Sequence, residues 1–330
     1  MFAKRTDLAM EAHELWRENA GKTTRLTGVR ARTLKQQGYS VNRVEVLNDR
    51  GAQALGKPVG TYLTVDLSGY AQRRDGFFDR AVGVVGGQLK TLLPAQGSVL
   101  VAGLGNRSLA PDAVGPLSLE HVLVTRHLIS TLPKHFSTFR NVAALSPGVL
   151  GSTGVEAGEA VAALVKELRP AAVIVIDALA ARRTARLCTT IQLSDTGIVP
   201  GSGVGNHRAP LSRETLGVPV IAVGVPTVVD GATIAADLLE QSGLRTGENF
   251  QDCGLLLYDR EKQDMHAGGS GCGCAASVFN GYLLSRFREG SLKRIVFAPT
   301  GALLSPTSSF QGESIPGICH AVCISAAREE

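Results

Sequence analysis

The sequence predicts an α/β protein built on a mainly parallel sheet flanked by helices. Three observations carry that expectation. Aliphatic runs such as 99–104 and 172–176 lack polar alternation, as strands buried on both faces require. Stretches with helical periodicity separate these runs, the order that lays helices over a parallel sheet. The chain has 330 residues, 44% hydrophobic and 19% charged, enough to bury a sizeable core without disulfides or metals. Its length corresponds to about two domains.

The elements follow in order. Leu8, Ala9, Ala12, Leu15 and Trp16 recur at helical spacing and open a first helix over 7–20, with Thr6 or Asp7 available as N-cap. Strand-like runs at 41–47 and 62–67 precede a helical stretch over 77–92. From Ser98 the pattern alternates: strand 99–104, helix 114–128, strand 141–145, helix 155–168, strand 172–176. Strands at 188–193 and 218–223 and a helix over 231–241 complete the series. The polar stretch 242–251, SGLRTGENFQ, is rich in turn formers and marks a boundary. Beyond it come a strand at 255–258, a Gly and Cys stretch at 268–274, a helix to 287, and strands at 295–298 and 321–324. A segment of about 80 residues is small for an independent core.

Charge and composition exclude several functions. There are 34 Lys and Arg against 29 Asp and Glu, a net +5, with no dense basic block carrying interleaved aromatics. Nucleic-acid binding is therefore not expected. The opening MFAKRTDLAM lacks the apolar core of a signal peptide. The longest apolar run, 216–229, is interrupted by Gly217, Pro219, Gly224 and Pro226 and falls short of the roughly 20 residues of a membrane span. Five of the six Cys lie in the last quarter of the chain, and a reduced cytosolic compartment is the simplest expectation.

In open α/β sheets, sites form beyond the C-terminal ends of strands. Two carboxylates fall there. Asp112 follows the strand and tight turn Val101–Asn106, and Asp177 directly ends Val173-Ile174-Val175-Ile176. Two carboxylates brought close repel, so one pKa rises and the pair can divide the roles of general base and general acid on a water molecule. The same pair could instead ligate a divalent metal. Structural readings compete: Asp112 as a helix N-cap, Asp177 as a cap or a partner for Arg182. The turn Gly103-Leu104-Gly105-Asn106 lacks the rest of a dinucleotide or P-loop pattern. The glycine-dense run 197–206, after Asp195-Thr196, is either a site-lining loop or a connector, and its amides could hold an extended peptide. Ser202 and Ser270 do not fit a nucleophile elbow, Cys188 reads as a buried small hydrophobe, and His121 and His127 do not share a helix face as zinc ligands would.

With those residues in hand, 5 to about 235 resembles the germination proteases of spore-forming bacteria. The matching stretches are RTDLA at 5–9 with Glu11-Ala12, GLGN at 103–106, PDAVGP at 111–116, SPGVLGSTGVEAGE at 146–159, VIDALAAR at 175–182, TIQLSDTGIVPGSGVGN at 190–206 and LGVPVIAVGVPTVVDG at 216–231. The resemblance implies an endopeptidase that degrades small acid-soluble spore proteins in the forespore and spore core, made as a zymogen and active as a homotetramer. It implies cleavage between Asp7 and Leu8, with 1–7 as propeptide and 8–240 as catalytic domain. It also implies a fold like that of hydrogenase-maturing endopeptidases, whose corresponding acidic positions bind metal. On that likeness Asp112 and Asp177 are the catalytic pair, with a divalent metal possible there. Asp195, Gly201, Ser202, Gly203 and Asn206 would then bind substrate.

The C-terminal part departs from that pattern. Residues 251–330 resemble the tail of stage V sporulation protein AD, a thiolase-like protein implicated in dipicolinate uptake, through QDCGLLLYDREKQDMHAGGSGCGCAASVFNGYLL at 251–284, APTGALLSP at 298–306 and ESIPGICHAV at 313–322. His266 falls where thiolases carry an active-site His, but the portion that would hold the nucleophilic Cys is absent, so a structural role is expected. Cys272 and Cys274 lack the partner pair of a zinc site. The chain reads as a fusion, and the alternatives to an active protease are an inactive fusion or a binding module of the dipicolinate-uptake type.

Overall fold

The computed structural model describes residues 6–20, 26–68, 76–201, 208–229, 237, 239–243, 250–257, 272–298 and 321–326. These divide into two units, one within Ala3–Val229 and one within Asp230–Glu330.

The first unit is an eight-stranded sheet in the order β1-β2-β3-β7-β8-β6-β4-β5. Its strands are β1 Val29–Gln36, β2 Tyr39–Val46, β3 Gly60–Asp66, β4 Val99–Gly103, β5 Val142–Leu145, β6 Ala172–Ala181, β7 Thr190–Ser194 and β8 Val220–Val229. The α/β expectation holds, with a division of labour: β5, β4, β6 and β8 run parallel, while β1, β2, β3 and β7 join them antiparallel. The parallel half holds the runs lacking polar alternation. The edge hairpin β1–β2 turns on Gln37-Gly38, both at positive φ, and exposes nearly all of β1, whose Arg30, Arg32 and Lys35 guard the edge. That polar edge strand has no core-facing signature and was not expected.

The helices are α1 Ala9–Ala20, α2 Asp49–Leu55, α3 Phe77–Leu92, α4 Val114–Leu119, α5 Arg126–Thr131, α6 Pro133–Phe136, α7 Leu150–Thr153, α8 Ala157–Leu168 and α9 Arg213–Leu216. Val161 and Val165 of α8 pack on Leu100, Ala102, Val173, Val175 and Val220. Leu8, Ala9 and Met10 pack on Val44, Val46, Tyr62, Leu179 and Ala181. Ala81 and Val84 of α3 cover the other face against Val41, Leu63, Val65 and Leu193.

Several expectations are corrected. The helix over 114–128 is two, because Thr125 leaves the helical path to pair with β5: its N–H donates to the Val142 carbonyl (3.1 Å) and its hydroxyl accepts the Val142 N–H (2.9 Å). Cys188 precedes β7 instead of lying in it. It is exposed at φ +53° and is no core hydrophobe. Helix α1 begins at Ala9, so Leu8 precedes it and neither Thr6 nor Asp7 occupies the N-cap position. Most of the helix expected over 231–241 lies outside the described residues.

In the second unit, 253–257 is helical where a strand was expected, because the Asp252 carboxylate accepts the Gly254 N–H (2.8 Å) and caps the turn. Cys272–Val278 continues through a π-helical turn at Phe279–Leu283 into Leu284–Arg288. Strands β9 Arg294–Phe297 and β10 Val322–Ser325 pair antiparallel, and the Phe279 and Phe297 rings meet at a tilt of 39° with centroids 5.2 Å apart. His266 lies outside the described residues. Cys188, Cys253, Cys274 and Cys323 are free thiols.

Candidate active site

Strand β4 ends at Gly103 and the chain turns tightly over Leu104-Gly105-Asn106. Gly105 has φ +111°, and a Cβ there would lie 2.0 Å from the Asp112 carbonyl oxygen, so only glycine lets the turn close on Asp112. Asp112 ends the short 3-10 turn Ala110–Asp112. Its Oδ2 accepts the Asn106 N–H at 2.7 Å, and the Thr227 hydroxyl of β8 donates to the Pro111 carbonyl at 2.5 Å. Asp112 is therefore no N-cap: Ala113 precedes α4, and no side chain caps that helix.

Asp177 lies inside β6, and its residue is only 6% exposed. Its Oδ1 accepts the Ala178 N–H at 2.8 Å. Arg182 is paired elsewhere, with both guanidinium nitrogens on Glu18 (2.7 and 2.8 Å), so the structural roles weighed for Asp177 do not apply. Burial pushes the Asp177 carboxyl up to about 7, and the negative charges of Asp112 and Asp7 add to the shift. Burial also raises Asp112. Arg208 pulls both carboxyls downward, and itself pairs with Glu156 at 3.7 Å. Two carboxyls raised by burial, Asp177 to about 7, and flanked by one guanidinium, are equipped to divide base and acid roles.

The register places further groups on this face. Asp177 pairs with Gly224 of β8, and Gly224 pairs with Gln192 of β7. Asp177 and Gln192 thus lie on one row, about 10 Å apart by the strand spacing. The space over Gly224 is taken by Leu179, whose Cδ1 would lie 2.3 Å from a Cβ there.

Beyond Ile176, β4 no longer covers the edge of β6, and the N-terminal segment takes over. Asp7 donates its N–H to the Ala180 carbonyl and accepts the Ala180 N–H on Oδ2, both at 2.8 Å. The buried Gln192 amide then holds the chain on both sides of Leu8: Nε2 donates to the Asp7 carbonyl (3.1 Å) and Oε1 accepts the Ala9 N–H (2.8 Å). Next along the edge, Glu11 accepts the Arg182 N–H (2.6 Å).

Asp195 accepts the Thr61 N–H at 2.7 Å, holding the start of β3 to the end of β7. Gly201 has φ +72°. Ser202, Gly203 and Asn206 lie outside the described residues. The sequence assigned no role to Arg208, Gln192 or Glu11, although Glu11 and Gln192 lie in stretches that carry the resemblance. Of these only Glu11 carried a signal, an acid in the first turn of a helix. As for a divalent metal, no group of three His, Cys, Asp or Glu converges among the described residues. The pair offers two carboxylates, each already accepting a backbone N–H, beside a guanidinium. That donor set is short of a protein-held divalent site.

The model of one family, "Germination protease", matches residues 9–252. The chain belongs to this germination protease family. The germination protease of Caldanaerobacter subterraneus subsp. tengcongensis is 48% identical over 239 residues, 72% of each chain. That of Clostridium perfringens (strain ATCC 13124) is 44% identical over 243 residues, 73% of this chain and 74% of the relative. Among solved structures, the [NiFe] hydrogenase maturation protease HycI from Thermococcus kodakarensis KOD1 is matched at 18% identity with a TM-score of 0.29, over 46% of this chain and 96% of that one. Its membership of the germination protease family makes the chain a peptidase. Among the described residues no helix is long and apolar enough to cross a membrane.

Proposed function

We propose that this chain is the endopeptidase that begins degradation of small acid-soluble spore proteins during spore germination, acting in the forespore and spore core as a homotetramer. In this reading it is made as a zymogen and cut between Asp7 and Leu8. The observation that carries the catalytic reading is the pairing of Asp112 with a buried Asp177 whose carboxyl is raised to about 7. The less buried Asp112 serves as the base, and Asp177, raised to about 7, retains its proton for a substantial fraction of the time near neutral pH. Asp112 takes a proton from water as its oxygen attacks the peptide carbonyl carbon. Asp177 gives its proton to the departing nitrogen, and the C–N bond breaks. The proton on Asp112 then returns to Asp177 by way of water, so both groups end as they began. Arg208 supplies fixed positive charge to the anionic intermediate.

The donor set favours this metal-independent form over metal ligation at Asp112 and Asp177. Residues 251–330 are proposed as the end of a thiolase-like domain.

The test is incubation of the purified Leu8-started chain with a spore-protein peptide, followed by mass spectrometry. Cleavage by the native chain, lost in Asp112→Asn and in Asp177→Asn, is expected. Full activity in both variants would overturn the roles.

A further inference from the structure

Glu11 is fully buried, yet it is a carboxylate in the first turn of a helix. Its Oε1 accepts the Arg183 N–H (3.1 Å), and Oε2 accepts both the Arg182 N–H (2.6 Å) and the Thr6 hydroxyl (2.6 Å). The same Thr6 oxygen accepts the Leu8 N–H at 3.0 Å. A single hydroxyl therefore stands between the Leu8 nitrogen and a buried carboxylate. Leu8 immediately precedes α1 and Glu11 is the third helical residue. This is the spacing at which an acid reaches back to the N–H at the head of its own helix. Here Thr6 occupies the intervening space.

We infer that Glu11 is the acceptor for a new N-terminus: when residues 1–7 are removed, the Leu8 α-ammonium takes the place of the Thr6 hydroxyl on the Glu11 carboxylate. The inference rests on the proposed cleavage between Asp7 and Leu8. Two separate problems created by that cut solve each other. Loss of Thr6 strips a buried carboxylate of one of its three donors, which is costly. The cut also leaves a positive charge at a helix N-terminus, where the helix dipole disfavours it. Pairing the two satisfies both.

The Leu8 nitrogen has little freedom to swing away. The Leu8 side chain is fully buried among Val44, Val46, Leu55 and Tyr62, and Gln192 keeps hold of the Ala9 N–H. Other charges near Glu11 are already engaged, since the Arg182 and Arg183 guanidinium groups both bond Glu18. The new ion pair would fix the head of α1 to the Arg182 and Arg183 amides, at the end of the strand that carries Asp177.

The test starts from the chain with residues 1–7 replaced by a removable ubiquitin-like fusion, so that folding precedes release of Leu8 as the first residue. Acylation of the Leu8 α-amine by a succinimidyl ester at neutral pH is followed by mass spectrometry. The native chain is expected to react at least about tenfold more slowly than Glu11→Gln, because a buried ion pair withholds the free amine. Equal rates in the two folded chains overturn the inference. Should Glu11→Gln not fold, a chain with one glycine added before Leu8 and Glu11 intact replaces it. That amine is expected to acylate about tenfold faster than the native one, and an equal rate again overturns the inference. Whether the full-length chain shortens itself by 1–7 is weighed separately. Failure there refutes the processing reading, whereas the acylation rates report on Glu11 alone.

Discussion

Asp177→Asn is expected to make the protein more stable and inactive at once. Its carboxyl ionises at about 7 in place of 3.8, with burial as the largest cause. A raised carboxyl favours the neutral form in the folded state, so folding takes up a proton between those two values. Well below pH 3.8 the group is neutral whether folded or not and nothing is lost. As pH rises toward 7 the unfolded chain ionises freely while the folded one resists, and stability falls. Each pH unit is worth about 1.4 kcal/mol, so the penalty reaches a ceiling of about 4 kcal/mol above pH 7. Asparagine carries no such penalty, and its carbonyl oxygen can still accept the Ala178 N–H. Denaturant unfolding from pH 4 to 8, followed by fluorescence, is the assay. The chain has one Trp, Trp16 in α1, so the signal reports the unit that holds the site. The variant should match the native chain near pH 4 and exceed it by about 2 to 4 kcal/mol at pH 8. A stability difference that does not widen with pH would refute the raised carboxyl and the acid role built on it.

Arg208→Ala removes the charge that lowers both aspartates, so the pH–rate profile should move toward alkaline pH, by less than about one unit. Gly105→Ala forces a Cβ to within 2.0 Å of the Asp112 carbonyl oxygen at φ +111°, so peptide cleavage should fall more than about tenfold, with stability lower by about 2 kcal/mol in the same denaturant assay. Dialysis against a chelator should leave the cleavage rate unchanged if the aspartates act without a metal. Removal of 1–7 takes away the Asp7 charge that raises Asp177, so the stability gained by Asp177→Asn at pH 8 should be smaller in the Leu8-started chain than in the full-length one, in the same denaturant assay.

The parallel half of the sheet was legible because strands such as 99–104 and 172–176 are aliphatic on both faces, a pattern that tertiary context does not alter. Edge strand β1 was not, since its charged residues protect an exposed edge and resemble a loop. The helix over 114–128 was read too long because apolar periodicity cannot register the hydrogen bonds that draw Thr125 to β5. Asp112 could be found from its position after β4 and Asp177 from the aliphatic run before it, although β6 does not end at Asp177 as expected but continues to Ala181. Their distinct environments could not, because burial of Asp177 and the reach of Arg208 depend on which loops meet above the sheet. Gln192 was hidden for a different reason: it reads as one polar position in a strand, and only the pairing through Gly224 places it on the Asp177 row.

Strand β6 joins these findings. On the side facing β4, the Ile176 carbonyl takes the Leu104 N–H, the Ala178 N–H goes to Asp177 itself, Ala180 is paired on both groups by Asp7, and the Arg182 N–H goes to Glu11. These groups on that edge are thus held by the turn before Asp112, by the buried acid, or by the N-terminal segment. Removing 1–7 would free both groups of Ala180, leaving Asp177 seated on one side and the Glu11 anchor on the other. An open pair of backbone groups between two fixed points, three residues from the buried acid, is a place where an extended peptide can add to a strand. The segment that would be released is thereby the one that covers the strand edge nearest the acid.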